Sequence, residues 1–178
     1  LDEIAELGLA TTEIGFTGGE PFMNPDMLEM LEDALSRGFR ALVLTNAMQP
    51  MQRPRIKAGL IRLRETYGDK LILRVSLDHY TAALHETERG PNTFEKTLAG
   101  IDWLAENRFS VAIAGRSVWG EPEAVARAGY GALFTDRGWR IDADDPSWLL
   151  YQSDAADDPP CVDPRGLRLR KKINTQPE

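Results

Sequence analysis

Cysteine is almost missing from this sequence: Cys161 is the only one among 178 residues. One thiol cannot close a disulfide within the chain, and it cannot alone hold a zinc ion or an iron–sulfur cluster. A reducing, cytoplasmic setting is the expectation. Long apolar runs are missing too. None approaches the ~20 residues of a membrane span, and no segment resembles a signal peptide. Positive charge is in deficit, with 21 Lys and Arg against 28 Asp and Glu for a net charge of −7. That balance excludes a general nucleic-acid binder or an anionic-membrane binder, whose surfaces need clustered cations. What is left is an ordinary globular composition, 42% hydrophobic and 28% charged, in a chain long enough to bury one sizeable core.

The sequence opens on Leu1, not Met, and residues 1–9 (LDEIAELGL) resemble the back half of an amphipathic helix with no cap ahead of it. The expectation is a piece of something longer. From Thr12 the pattern alternates. Residues 13–17 (EIGFT) form a short strand bounded by Gly18 and Gly19. A helix follows, with Asn24 as N-cap, Pro25 at the first helical position and a Leu28, Leu31, Leu35 stripe ending at Gly38. Residues 39–45 (FRALVLT) are nearly continuous in apolar side chains, as a strand covered on both faces should be. Residues 54–67 predict a helix stopped by Gly68, and residues 71–77 (LILRVSL) a third strand. Asn92 and Glu95 predict a capping box for a helix to Asn107. Residues 110–114 (SVAIA) are a fourth strand, and residues 122–137 a weaker helix diluted by Gly129 and Gly131.

Strand starts recur at about 30-residue intervals, the size of a βα unit. The fold class is therefore α/β with parallel strands, and functional groups belong on the loops at the strands' carboxyl ends. Past Ile141 the rhythm fails, so we expect two parts, a βα region over residues 1–141 and an irregular segment over 142–178, the latter including the basic run RLRKK at 168–172.

Four loops then stand out. Gly18-Gly19-Glu20-Pro21 follows the first strand: the glycines leave backbone groups open to a ligand, Glu20 brings a carboxylate, and Pro21 fixes the exit. No Lys-Ser/Thr follows, and a carboxylate would repel phosphate, so an amine-bearing or cationic ligand fits better. Thr45 and Asn46 end the second strand with a hydroxyl and a carboxamide suited to a ribose or another polar edge. Ser76 and Asp78 end the third on one face, followed by His79, His85, Glu86, Arg89 and Gly90. Each residue alone is compatible with a solvated cap or an exposed loop histidine; together they direct a polar group from every strand end to one rim.

These motifs, FTGGEPFMNPDMLEMLEDALSRGFRALVLTNAM, RVSLDHY and HETERGPNTFEKTLAGIDWL, resemble the middle of the core of the radical S-adenosylmethionine (radical SAM) superfamily over roughly residues 1–120. The resemblance implies a partial TIM-like barrel and an oxidoreductase-type enzyme that uses a 4Fe–4S cluster to cleave S-adenosylmethionine. The product is a 5′-deoxyadenosyl radical that abstracts hydrogen from a substrate. It implies that Gly18, Gly19 and Glu20, with Pro21 closing the motif, receive the methionyl amine. Thr45 and Asn46 would lie at the ribose and methionyl region, and Ser76 and Asp78 at ribose hydroxyls or the methionyl carboxylate. Arg89 would be a carboxylate partner, and Ala114-Gly115-Arg116 would lie on the adenine side. The implied partners are the cofactor, a substrate the sequence does not specify, and an electron donor.

The same resemblance exposes a departure. The family's C-x-x-x-C-x-x-C motif is expected ahead of Leu1, and Cys161 cannot stand in for it, so the chain alone is expected to build no cluster and to be inactive. No residue here is assigned a catalytic or metal-ligand role. Two other readings compete. One is a metal-dependent barrel hydrolase built on Asp78, His79, His85 and Glu86; the other is a non-catalytic binding module on a degenerate barrel.

Overall fold

A computed structural model describes residues 1–7, 10–116, 119–145 and the backbone of 149–152. Four strands fall where the hydrophobic pattern puts them: β1 (Glu13–Phe16), β2 (Arg40–Thr45), β3 (Leu71–Ser76) and β4 (Ser110–Arg116). A fifth, β5 (Leu149–Gln152), joins them in one parallel sheet ordered β1-β2-β3-β4-β5. The order never reverses. Right-handed crossovers in such a sheet place every helix on the same side, the curled βα layout of a TIM-like barrel and not the two-sided layout of a doubly wound fold.

The helix side is the core. Ala41 and Val43 of β2, Leu71, Leu73 and Val75 of β3 and Val111 and Ile113 of β4 are buried there. Against them lie α2 (Met27–Ser36), α4 (Pro54–Tyr67) and α6 (Phe94–Glu106), through Leu31, Leu35, Leu60, Leu63, Leu98, Ile101 and Leu104. Truncating one such fully buried leucine to alanine typically costs about 2–5 kcal/mol. The opposite face of the sheet carries Leu42, Leu44, Ile72, Arg74, Ser76, Ala112 and Ala114, and it faces the barrel's inside.

Several expectations need correction. The helix after β1 does not start at Pro25. Residues Pro21–Met23 form a 3₁₀ turn, and Asn24 Oδ1 accepts from Asp26 N at 3.0 Å, so Asn24 closes a local turn and α2 begins at Met27. No capping box forms ahead of α6. Asn92 has φ +60, a left-handed conformation incompatible with the extended N-cap geometry, so its side chain is not on the helix end. Thr93 instead donates to Gly90 O at 2.6 Å, and Glu95 pairs with Arg137 at 3.2 Å. The stretch between β3 and α6 is not all loop, because α5 (Ala82–Arg89) occupies most of it. A short helix, α3 (Gln49–Gln52), also precedes α4. The opening helix is only α1 (Asp2–Glu6), and Leu7 just after it is 71% exposed.

The segment after Ile141 is not wholly irregular, since β5 pairs Leu149–Gln152 with Ile113–Arg116. Four residues are too few to show a period, so hydrophobic patterning could not find this strand. The sheet thus continues past the boundary drawn at 141. Residues 153–178, with Cys161 and the basic run, lie outside the described residues. No described helix is long and apolar enough to cross a membrane.

One close contact fixes the loop after β2. A Cβ built on Gly100 of α6 would sit 2.1 Å from the Ala47 carbonyl oxygen. Because that obstacle is backbone, Gly100→Ala should displace the 45–48 turn and lower stability by about 1–3 kcal/mol, read as a fall in the thermal unfolding midpoint. An unchanged midpoint would mean the helix and the turn are not in contact.

Candidate functional site

Glu20 is the first element of the site. It caps the 3₁₀ turn, its Oε1 accepting from Phe22 N at 3.3 Å. The same oxygen accepts from Thr45 Oγ1 at 2.8 Å, and Oε2 accepts from Asn46 N at 2.8 Å. One carboxylate therefore ties the end of β1 to the end of β2. Asn46 O in turn accepts from Thr97 Oγ1 on α6 at 3.3 Å, and Asn46 Oδ1 from Met48 N at 2.9 Å. With Glu20 consumed inward, the open surface of the loop is Gly18-Gly19. A Cβ on either would meet nothing within 4 Å, and Gly18 adopts φ +105, which side-chain-bearing residues rarely tolerate. Pro21 is buried beneath.

The end of β3 supplies the second element. Ser76 is buried, and Asp78 is only 2% exposed. Arg89, at the end of α5, grips Asp78 with two parallel bonds, Nε to Oδ2 and Nη2 to Oδ1, both 2.8 Å. Arg116, from the end of β4, approaches Oδ2 at 3.6 Å and holds Glu88 at 2.9 Å. The fork-on-carboxylate geometry is the strong form of an ion pair, and it fixes the guanidinium plane of Arg89, a quarter of which stays exposed. Sequence reasoning gave Asp78 and Arg89 separate tasks; the fold makes them one unit and brings Arg116 into it.

A third cluster was missed. Tyr80 donates to Glu121 Oε1 at 2.6 Å, while His79 Nε2 lies 3.5 Å from Glu121 Oε2, within ion-pair reach but outside hydrogen-bond geometry. His79 Nδ1 accepts from Thr81 N at 3.0 Å, which leaves the proton of the neutral ring on Nε2, toward Glu121. The imidazole stacks on Tyr80 and meets Trp119 edge-on. The signal for this cluster was Gly129: a Cβ there would fall 2.4 Å from the Tyr80 ring, so the glycine reads as room for an aromatic and not only as a helix diluent. Gly115 makes the same concession to Tyr130, whose hydroxyl donates to Leu77 O at 2.7 Å.

Both histidines are buried, not exposed on a loop. His85 is fully inaccessible, sits edge-to-face on Phe94, and finds no partner for either ring nitrogen. Asp78 serves Arg89, His79 faces Glu121, Glu86 accepts from Phe94 N and His85 bonds to nothing, so the four residues proposed as one metal site do not converge. No group of acidic, His or Cys side chains among the described residues could hold a metal ion. A separate cavity of about 910 Å³ opens at the amino ends of the strands, near Arg40, Ile72 and Ser110. Its polar groups serve the fold: Asp102 there holds both Trp139 Nε1 at 2.8 Å and Arg137 at 3.2 Å. The rim at the carboxyl ends is the candidate site.

Residues 1–120 match the model of the radical SAM superfamily. The chain belongs to that superfamily. Among curated proteins, the AdoMet-dependent heme synthase of Methanosarcina barkeri is 31% identical over 116 residues, covering 64% of this chain and 30% of its own length. The antilisterial bacteriocin subtilosin biosynthesis protein AlbA of Bacillus subtilis is 30% identical over 114 residues, covering 64% of this chain and 24% of its own. The chain thus spans under a third of either relative. The AdoMet-bound structure of native anSMEcpe superposes with a TM-score of 0.55 at 18% identity, over 98% of this chain and 46% of that one. Archaeal TYW1 gives 0.50 at 16% identity, over 78% and 44%. The partial barrel is therefore the radical SAM architecture, and the superfamily implies S-adenosylmethionine and a 4Fe–4S cluster as cofactors.

The residues present fit these two groups differently. Open glycine backbone, a braced carboxylate and an oriented guanidinium on one rim suit a zwitterionic amino-acid moiety. The cluster has no fit: it needs several thiolates and the sequence holds Cys161 alone.

Burial sets the site's pH response. Desolvation pulls both His79 and His85 below the ordinary 6.5, partly opposed by Glu121 at His79 and by Asp78 at His85. Both rings are neutral when folded, and the unfolded chain takes up protons first. Their contribution is whole above about 6.5 and is lost as pH falls below it toward the lowered folded values. The thermal midpoint should fall as pH drops below about 6.5, and His85→Leu, which removes two unpartnered nitrogens, should flatten that slope. An equal slope in the variant would discard His85 as a cause.

Proposed function

We propose that this chain is the cofactor-binding core of a radical SAM enzyme and that its carboxyl-end rim binds S-adenosylmethionine. Superfamily membership and the convergence of Gly18-Gly19-Glu20, Thr45-Asn46 and Ser76-Asp78-Arg89 on a single rim support the reading. S-adenosylmethionine and a reduced 4Fe–4S cluster supply, in this superfamily, a 5′-deoxyadenosyl radical for hydrogen abstraction. The residues here do the binding. The Gly18 and Gly19 carbonyls accept from the methionyl ammonium, and Glu20 keeps that loop in place from behind. Thr45 is occupied by Glu20 and Ala47 and braces Asn46, whose carboxamide region and backbone border the ribose. Arg89 pairs with the methionyl carboxylate, and Asp78 is the positioning residue that holds the guanidinium plane. Ser76 adds a hydroxyl beside them, and Arg116 lies toward the adenine. The hydrogen donor and the reaction's outcome belong to parts of the enzyme this chain does not specify.

Two experiments test the reading. In anaerobic calorimetry, Asp78→Ala and Arg89→Gln should each weaken S-adenosylmethionine binding by ~1–3 kcal/mol, about five- to more than a hundredfold, with thermal midpoints recorded alongside. Binding of 5′-methylthioadenosine, which lacks the carboxylate, should change by less than about twofold. Unchanged S-adenosylmethionine affinity in Asp78→Ala would sink the assignment, and an equal loss for both ligands would move the pair to the ribose. Separately, anaerobic reconstitution of this chain with iron and sulfide should yield no stoichiometric 4Fe–4S absorbance, since Cys161 is its single thiol. A full cluster on the chain would mean that the ligands were misidentified.

A further inference from the structure

Arg74 is the one charged residue in the middle of β3, and it sits on the inner face of the sheet. Its strand neighbours in register are Leu44 on β2 and Ala112 on β4. One layer toward the rim are Ser76 and Ala114; one layer below are Leu42, Ile72 and Ser110. Interior positions of such barrels are normally filled by bulky branched side chains. Here β4 contributes Ser110, Ala112, Ala114 and, at the rim, Arg116 to this face, so the β4 residues level with the guanidinium are small where a bulky layer would be expected.

That guanidinium has no carboxylate of its own. Its Nε is buried without a hydrogen-bond partner, and no ion pair to it forms among the described residues. The nearest influence is Glu13, which is engaged with Arg40 at 3.8 Å. Burial lowers the Arg74 pKa, with Glu13 opposing, yet an arginine stays charged in any protein. A buried guanidinium nitrogen without a hydrogen-bond partner is costly to fold around, and a ligand that completes it is one reason to keep it. The contrast with Arg89, whose fork is closed on Asp78, is complete.

We propose that Arg74 anchors a carboxylate of the substrate inside the barrel, about 7 Å below the cofactor rim, the rise of two strand residues. The proposal rests on the reading that the rim binds S-adenosylmethionine, because that reading makes the barrel interior the reaction chamber. A carboxylate is favoured over a phosphate for two reasons. A single guanidinium balances a monoanion, and mid-strand there is no helix N-terminus or second cation to complete a dianion. The apolar Leu42, Leu44 and Ile72 alongside suit a carboxylate carried on a hydrophobic body.

Benzoate is a suitable probe, with benzyl alcohol as its uncharged match and phenyl phosphate as the dianion. In heteronuclear NMR of this chain, benzoate at millimolar concentration should shift the Arg74 Nε–H resonance and the Ala112 and Ala114 amides saturably. Benzyl alcohol should not. Arg74→Gln should weaken benzoate binding, followed at the two alanine amides, at least about tenfold, and Arg74→Lys should restore part of it as a point charge. S-adenosylmethionine affinity should stay within about twofold in Arg74→Gln, so a failed cofactor site and a failed anchor give different results. No saturable shift in the parent chain, or benzoate shifts unaltered in Arg74→Gln, would overturn the proposal. Tighter binding of phenyl phosphate than of benzoate would overturn the carboxylate assignment.

Discussion

The arrangement of the rim depends on where one carboxylate points. Glu20 follows two glycines at the mouth of the sheet, where a solvated side chain would be the ordinary outcome. Instead it turns back across β1 and β2, taking the Thr45 hydroxyl and the Asn46 and Phe22 amides. Thr45 passes the constraint on by accepting from Ala47 N at 3.1 Å, and the Ala47 carbonyl lies against Gly100 of α6. The ends of β1 and β2 and the helix α6 thereby share one rigid frame. What faces outward is then bare backbone at Gly18-Gly19, a surface whose carbonyl dipoles suit the ammonium we propose for it and which contributes no side-chain entropy of its own.

On the other side of β3 the frame is built from rings. Tyr130 on α7 (Glu123–Arg137) reaches through the gap at Gly115 to the Leu77 carbonyl, the point where β3 ends and Asp78 begins. Tyr80 fills the gap at Gly129 and holds Glu121. Each contact needs a missing Cβ on one partner, Gly115 on β4 and Gly129 on α7, so the glycine that weakens α7 as an isolated helix strengthens its docking beside the end of β3. The local cost of Gly129 is about 1 kcal/mol, and a buried aromatic contact recovers a comparable amount.

This separates what the sequence could tell from what it could not. The first four strand positions, their parallel order and the rim followed from short-range signals: apolar runs, glycine stops and the recurrence of βα units. The motif GGEP, with LTN and SLD at one-unit spacing, marked the strand ends that form the rim. Three kinds of information were out of reach. The left-handed backbone at Asn92 defeated a cap that the residue types favoured. The short α5 hid in a charged stretch, where the apolar face is reduced to Leu84 and His85. The pairing of Asp78 with Arg89 depends on α5 ending beside β3, a tertiary fact that no spacing rule contains. The buried histidines belong to the same class, since burial is decided by what packs over them.

The two arginines to which we assign anions, on this rim and its floor, show how a protein with seven excess negative charges could still present anion sites. Net charge governs long-range steering and solubility, whereas recognition is settled within a few ångströms in a medium where water screens poorly. Arg89 is paired with Asp78, which lowers its attraction for a second anion but fixes its plane, so it suits a carboxylate that arrives together with an ammonium and a ribose to share the binding. Arg74 has no such partner among the described residues. Its Nε is buried without a partner and its strand neighbours are small or apolar, so an anion that paired with it would give up part of its own hydration. A group bound there gains orientation more than affinity, because both charges give up solvation to meet. Orientation is what chemistry at the rim would demand on the reading we propose: the distance between an anchored end of the substrate and the rim would select which bond is presented.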